Sequence, residues 1–168
     1  GWSANSYPGR GVLVYLAAYT FMNLGAFGIL GYLKTQIPDR FDYSLKAFAG
    51  LGRRSPWAGL LLTLFLVSLT GIQGTAGFIG KFYVFGGVVW AGLWWLAVIG
   101  VVLSAVSAYY YLRVVIYMFF RDPEEDYAIK QPLAGGMAMS MSVAAIATVV
   151  IGIMPQWLWD SAVSALST

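Results

Sequence analysis

LTGIQGTAGFIGKF, residues 69–82, sets glycines at 71, 74, 77 and 80 and a lysine at 81 in the middle of the most apolar part of the chain. The apolar run continues on both sides, and residues 55–120, 66 in all, carry only two charges, Lys81 and Arg113. A tryptophan-rich turn, GGVVWAGLWW, divides this run, with Trp90, Trp94 and Trp95 where an interfacial aromatic belt is expected. As one helix, residues 56–89 would be roughly 51 Å long at about 1.5 Å per residue, well beyond a bilayer core of about 30 Å. Each interior glycine weakens a helix by about 1 kcal/mol. The stretch therefore predicts two half-helices joined by an unwound peptide near residues 71–77, with Gly71, Gly74 and Gly77 as the breaking residues. Irregular backbone at membrane depth persists only where protein or water satisfies its polar groups, so the break predicts a polar cavity. A second reading of the glycines is close helix packing, which requires no break.

Lys81 bears on that choice. An ammonium at the centre of a membrane helix costs about 2.5 to 3.5 kcal/mol, and position 81 is far from either flanking loop. No Asp or Glu falls within a predicted span, so no carboxylate of the same membrane segment holds the lysine permanently charged. An amine that can gain and lose a proton is what a proton relay requires, and Lys81 is the candidate catalytic residue on that reading. The alternative is a purely structural lysine paired with an acid elsewhere. Gln73 and Thr75 lie in the break, and Ser104, Ser107 and Tyr111 share one helix face at i, i+3 and i+7; these five are candidate polar or water-holding positions. Ordinary helix–helix hydrogen bonding also accounts for the last three, and for Tyr19 and Asn23 at i, i+4.

The remainder of the chain fits a membrane setting. Of 168 residues 60% are hydrophobic and 10% charged, and the mean hydropathy is +0.73. The fold class expected is all-α, a polytopic transmembrane helical bundle of about four spans: 11–33, 56–89, 93–118 and 133–155, forming one membrane domain. Trp157 and Trp159 would anchor the last span. Residues 34–55 hold Lys34, Arg40, Lys46, Arg53 and Arg54 against Asp39 and Asp42, which marks this connection as cytoplasmic; the connection 119–132, with Arg121 and Lys130, follows suit. Arg113, two turns before Arg121, reads as an interfacial anchor. Within the first connection, Leu45, Phe48, Ala49 and Leu51 suit a short helix lying on the membrane surface, with a plain loop as the alternative.

Several classes are excluded. The net charge of +3 comes from loops and not from a basic stripe, so nucleic acid is not an expected partner. With no cysteine and no histidine, the chain offers no thiolate cluster, no histidine-ligated haem, no metal site and no Ser-His-Asp chemistry. Any redox step belongs to a partner. The chain opens Gly1-Trp2 with no signal-peptide pattern, which suggests a piece of a longer polypeptide.

Three segments carry a family resemblance: YLAAYTFMNLGAF, GLGRRSPWAGLLLTLFLVSLTGIQGTAGFIGKFYVF and SAVSAYYYLRVVIYMFF. Together, over roughly residues 15–120, they resemble the C-terminal third of subunit N, an antiporter-like subunit of respiratory complex I (NADH:quinone oxidoreductase). The resemblance implies the second part of an inverted-repeat fold, with the break as its second discontinuous helix and Lys81 as the lysine that ends a central line of protonatable residues. It further implies a proton-translocating subunit in which NADH, FMN, iron–sulfur clusters and quinone sit in partner subunits and no cofactor sits in this chain. Its neighbours would be other antiporter-like and small helical membrane subunits and lipids, in a bacterial inner membrane or an organellar energy-converting one. Where that family often carries two prolines this chain has Gln73 and Gly74, so the break is not enforced by proline. A cation/proton antiporter subunit of the Mrp type and a purely structural membrane subunit remain the alternatives.

Overall fold

A computed structural model describes residues 7–36, 44–122, 135–154 and 156. The described residues are helical: α1 (Tyr7–Gln36), a 3₁₀ turn (Leu45–Phe48), α2 (Leu51–Arg54), α3 (Pro56–Thr70), α4 (Ala76–Trp90), α5 (Trp94–Phe120) and α6 (Gly135–Ile153). Three helices are long and apolar enough to cross a membrane: the Gly11–Gln36 part of α1, α5 and α6. The fourth apolar segment is divided between α3 and α4, 15 residues each, so each half is roughly 22 Å long and neither spans a bilayer alone.

Polar groups inside these helices are satisfied locally, as an apolar surrounding demands. Thr20 donates to the Leu16 carbonyl at 2.8 Å, Asn23 Nδ2 to the Tyr19 carbonyl at 2.7 Å and Thr35 to the Tyr32 carbonyl at 2.7 Å. The pair Tyr19 and Asn23 is thus a side chain bonded back to its own helix. Lys34 sits in the last turn of α1, where the helix dipole favours a cation.

Packing gathers α1, α3 and α6 around Ile29, Leu33, Leu62, Phe65 and Met141, all nearly inaccessible. Gly25 is required on α1 because a Cβ there would lie 2.1 Å from Cζ of Phe65. A second cluster, Ala18, Met22, Leu69, Ala76 and Ile151, sits at the α3–α4 break. α5 packs along one edge and buries Ala97 and Met118, leaving most of its apolar side chains exposed. In a chain of this composition that face suits lipid or further helices.

The segment after residue 43 departs from the expected surface helix. Phe48, Ala49 and Leu51 are buried in the protein, and Phe48 and Leu51 belong to the main core beside Met118. The amphipathic pattern was there, but the apolar face is covered by α3 and α5 and not by lipid. Gly52 fits under the Phe119 ring, Gly50 N–H donates to the Tyr117 carbonyl at 3.4 Å, and the Arg53 guanidinium binds the Arg121 carbonyl and pairs with Asp122. The expected anchors Trp157 and Trp159, and the charges Arg40 and Lys130, lie outside the described residues.

Candidate functional site

α3 ends at Thr70 because Gly71 adopts φ +85°, a left-handed conformation that glycine takes without a Cβ clash. Gly74 repeats it at φ +84°. The non-helical peptide is residues 71–75, and Gly77 lies inside α4 instead of in the break. Its role is close approach: a Cβ on Gly77 would lie 1.8 Å from the Ser68 carbonyl oxygen. The glycines of this run thus differ in what they do. The first two unwind the chain, and the third lets the half-helices pass.

A helix end at membrane depth exposes carbonyls on one side and amides on the other, and each needs a partner. At the start of α4, the Thr75 hydroxyl accepts from Phe78 N–H at 3.4 Å and the buried Ser68 hydroxyl accepts from Gly77 N–H at 3.3 Å. Thr75 also ties the turn down, donating from Oγ1 to the Ile72 carbonyl at 2.6 Å. At the end of α3, the acceptors are taken by Lys81: its Nζ lies 3.0 Å from the Leu69 carbonyl and 3.0 Å from the Thr70 carbonyl. The lysine thus sits at the negative end of the α3 dipole, which supplies the compensation that an acid would otherwise provide. Gly71 makes room for its stem, since a Cβ there would be 3.1 Å from Cδ of Lys81.

Lys81 is half-buried and also lines a cavity of about 240 Å³ with Tyr15, Val84, Phe85, Gly100 and Ser104. The expected polar residues are thereby sorted. Ser104 shares the cavity with Lys81. Ser107 donates to the Leu103 carbonyl of its own helix at 3.0 Å. Tyr111 packs against both buried clusters, Gln73 is exposed in the break, and Arg113 is exposed on α5.

Two contributors escape a reading of the sequence. Ser68 is fully buried; its signal is a hydroxyl in an apolar run three residues ahead of a helix-ending glycine, where a buried polar atom must find a partner. Gly152 of α6 presses on the break, and a Cβ there would lie 2.8 Å from the Gly74 carbonyl oxygen and 2.9 Å from Ala76 N. That contact joins residues far apart in sequence and leaves no local mark. Among the described residues, no group of three or more His, Cys, Asp or Glu side chains gathers as metal ligands.

Apolar helices long enough to cross a membrane, beside an apolar segment broken into two short helices with a lysine resting on the broken end, define an integral membrane protein of the antiporter-like class. Residues 2–107 match the family described as NADH:quinone oxidoreductase/Mrp antiporter, TM, and the chain belongs to that family. It is similar to NADH-quinone oxidoreductase subunit N of Trichlorobacter lovleyi, 43% identical over 168 residues, covering 99% of this chain and 34% of that protein. The protein of the same name from Desulfitobacterium hafniense is 42% identical over 159 residues, with 95% and 31% covered. Subunit N 1 of Solibacter usitatus is 41% identical over 150 residues, with 89% and 30% covered. The chain thus spans about a third of the length of the curated relatives it matches. Among solved structures, a chain of respiratory complex I from Thermus thermophilus with bound aureothin superposes with a TM-score of 0.73 at 31% identity, covering 92% of this chain and 36% of that one.

Proposed function

We propose that this chain moves protons across a bacterial plasma membrane as part of an NADH:quinone oxidoreductase, with Lys81 as the group that takes up and releases the proton. Electron transfer from NADH through flavin and iron–sulfur clusters to quinone belongs to partner subunits, and neighbouring antiporter-like and small helical subunits complete the membrane arm. The observation that carries this reading is the position of Lys81 between two environments. Its Nζ touches the Leu69 and Thr70 carbonyls, and the same side chain lines the cavity shared with Tyr15 and Ser104.

The chemistry follows from hydrogen-bond inventory. An ammonium has three donors, and two face the end of α3, which leaves one for the cavity. A carbonyl oxygen accepts a hydrogen bond but is no base for the proton. Exchange therefore runs on the cavity side, while the α3 end holds the charged form in place. Once neutral, the amine loses most of its attraction to the helix end, so a change of protonation is also a change of the force that holds the side chain at the break. That is the coupling a half-channel needs. The close likeness to several proteins named subunit N favours this reading over an Mrp-type antiporter.

Lys81→Met keeps a flexible stem and removes the titratable amine. Complex content in the membrane is expected to fall only modestly, as the Leu69 and Thr70 carbonyls lose their partner, and NADH-driven proton uptake per complex in inside-out vesicles to fall by about tenfold or more. Full uptake by the methionine variant would remove Lys81 from the relay and leave a structural role.

A further inference from the structure

We propose that Tyr15 is a second proton-exchanging residue of the Lys81 cavity. The inference rests on the reading of Lys81 above and adds the group that its proton meets next. With the Leu69 and Thr70 carbonyls unable to receive a proton, the partner must be on the cavity wall, where the lining residues with exchangeable protons besides Lys81 are Tyr15 and Ser104. A phenol O–H is a far stronger acid than an aliphatic alcohol, so Tyr15 gives up its own proton more readily than Ser104 as its oxygen accepts another.

The fold holds Tyr15 where this needs it. α1 crosses α4 at Gly80, where a Cβ would lie 2.9 Å from Cδ2 and 3.1 Å from Cα of Tyr15, so the residue next to Lys81 in sequence is the one that admits the tyrosine. The ring is fixed from the other side by stacking on Tyr19, with centroids 5.6 Å apart and planes at 24°. The cavity, at about 240 Å³, has room for water, whose share of liquid volume is about 30 Å³. In the transfer, the phenol oxygen accepts a proton from Lys81, directly or through water, as its own O–H proton leaves toward the next acceptor. Tyr15 is neutral before and after, and no oxidant or reductant takes part.

The test uses the complete membrane complex in inside-out vesicles. Tyr15→Phe retains the stack on Tyr19 and the fit against Gly80 and removes only the hydroxyl. Proton uptake per complex is expected to fall by about tenfold and its solvent deuterium isotope effect to rise, while Tyr109→Phe, on the exposed face of α5, changes neither. Normal uptake in Tyr15→Phe beside a loss in Lys81→Met would overturn the role of Tyr15 and spare that of Lys81. Normal uptake in both would overturn both. Should Tyr15→Phe fail to assemble, site-specific 3-fluorotyrosine at position 15 decides: it keeps the hydroxyl and makes it a stronger donor, so the solvent deuterium isotope effect on uptake changes if the phenol relays protons, and an unchanged isotope effect rejects the proposal.

Discussion

An ammonium in a membrane helix costs about 2.5–3.5 kcal/mol at the bilayer centre, and Lys81 offsets this through two carbonyl acceptors that the end of α3 had left open. Lysine and break therefore depend on each other: without the break there are no free carbonyls, and without the lysine they face a low-dielectric surrounding unpaired. Ser68 has the mirror role for the amides of α4, accepting from Gly77 N–H inside a fully buried pocket. Ser68→Ala leaves that amide unsatisfied, and a loss of about 1–3 kcal/mol is expected, read as a lower midpoint in thermal denaturation of the purified complex. An unchanged midpoint would mean that the amide finds another acceptor. Lys81 was legible in the sequence because a lone charge in 66 residues with only one other is conspicuous. Its partners were not, because backbone carbonyls have no letter in a sequence.

Between α3 and α4 the length of the apolar run and its glycines gave away the break, and the structure refines which glycine does what. Gly71 and Gly74 take positive φ, while Gly77 gives passage to the Ser68 carbonyl. The two classes differ in what a methyl group costs. Gly74→Ala meets no atom within 4 Å and pays only backbone strain of roughly 1–2 kcal/mol, so a complex with this change should assemble. Gly77→Ala would set its Cβ 1.8 Å from an oxygen, a clash that only separation of the half-helices relieves, and loss of the assembled complex is expected on native gels. Equal assembly of the two would contradict the close approach. Spacing alone could not separate these roles, because both call for a residue without a Cβ. Nor could it say what covers Phe48 and Leu51: an amphipathic pattern marks a face to be buried, and the protein core supplied by α3 and α5 took the place expected for lipid.

For the molecule as a whole, we propose from the lysine and arginine asymmetry that the connection around Lys46 is cytoplasmic and the turn at Gly92 opposite. Both positions are exposed, so cysteines there should react with an impermeant maleimide from opposite sides of oriented vesicles. Labelling from one side would break the four-segment topology. The broken helix lies against α1, α5 and α6: Tyr15 from α1 and Ser104 from α5 line the cavity of the lysine, and Gly152 from α6 packs on the break itself. We propose that Lys81 exchanges its proton and does not merely hold a charge. Proton uptake by vesicles carrying Lys81→Arg tests it most directly, because a guanidinium keeps the charge at the end of α3 and cannot release the proton at any relevant pH. Normal complex content with uptake reduced by about tenfold or more is the predicted result; uptake equal to that of the unaltered complex would contradict the account and make Lys81 a structural cap.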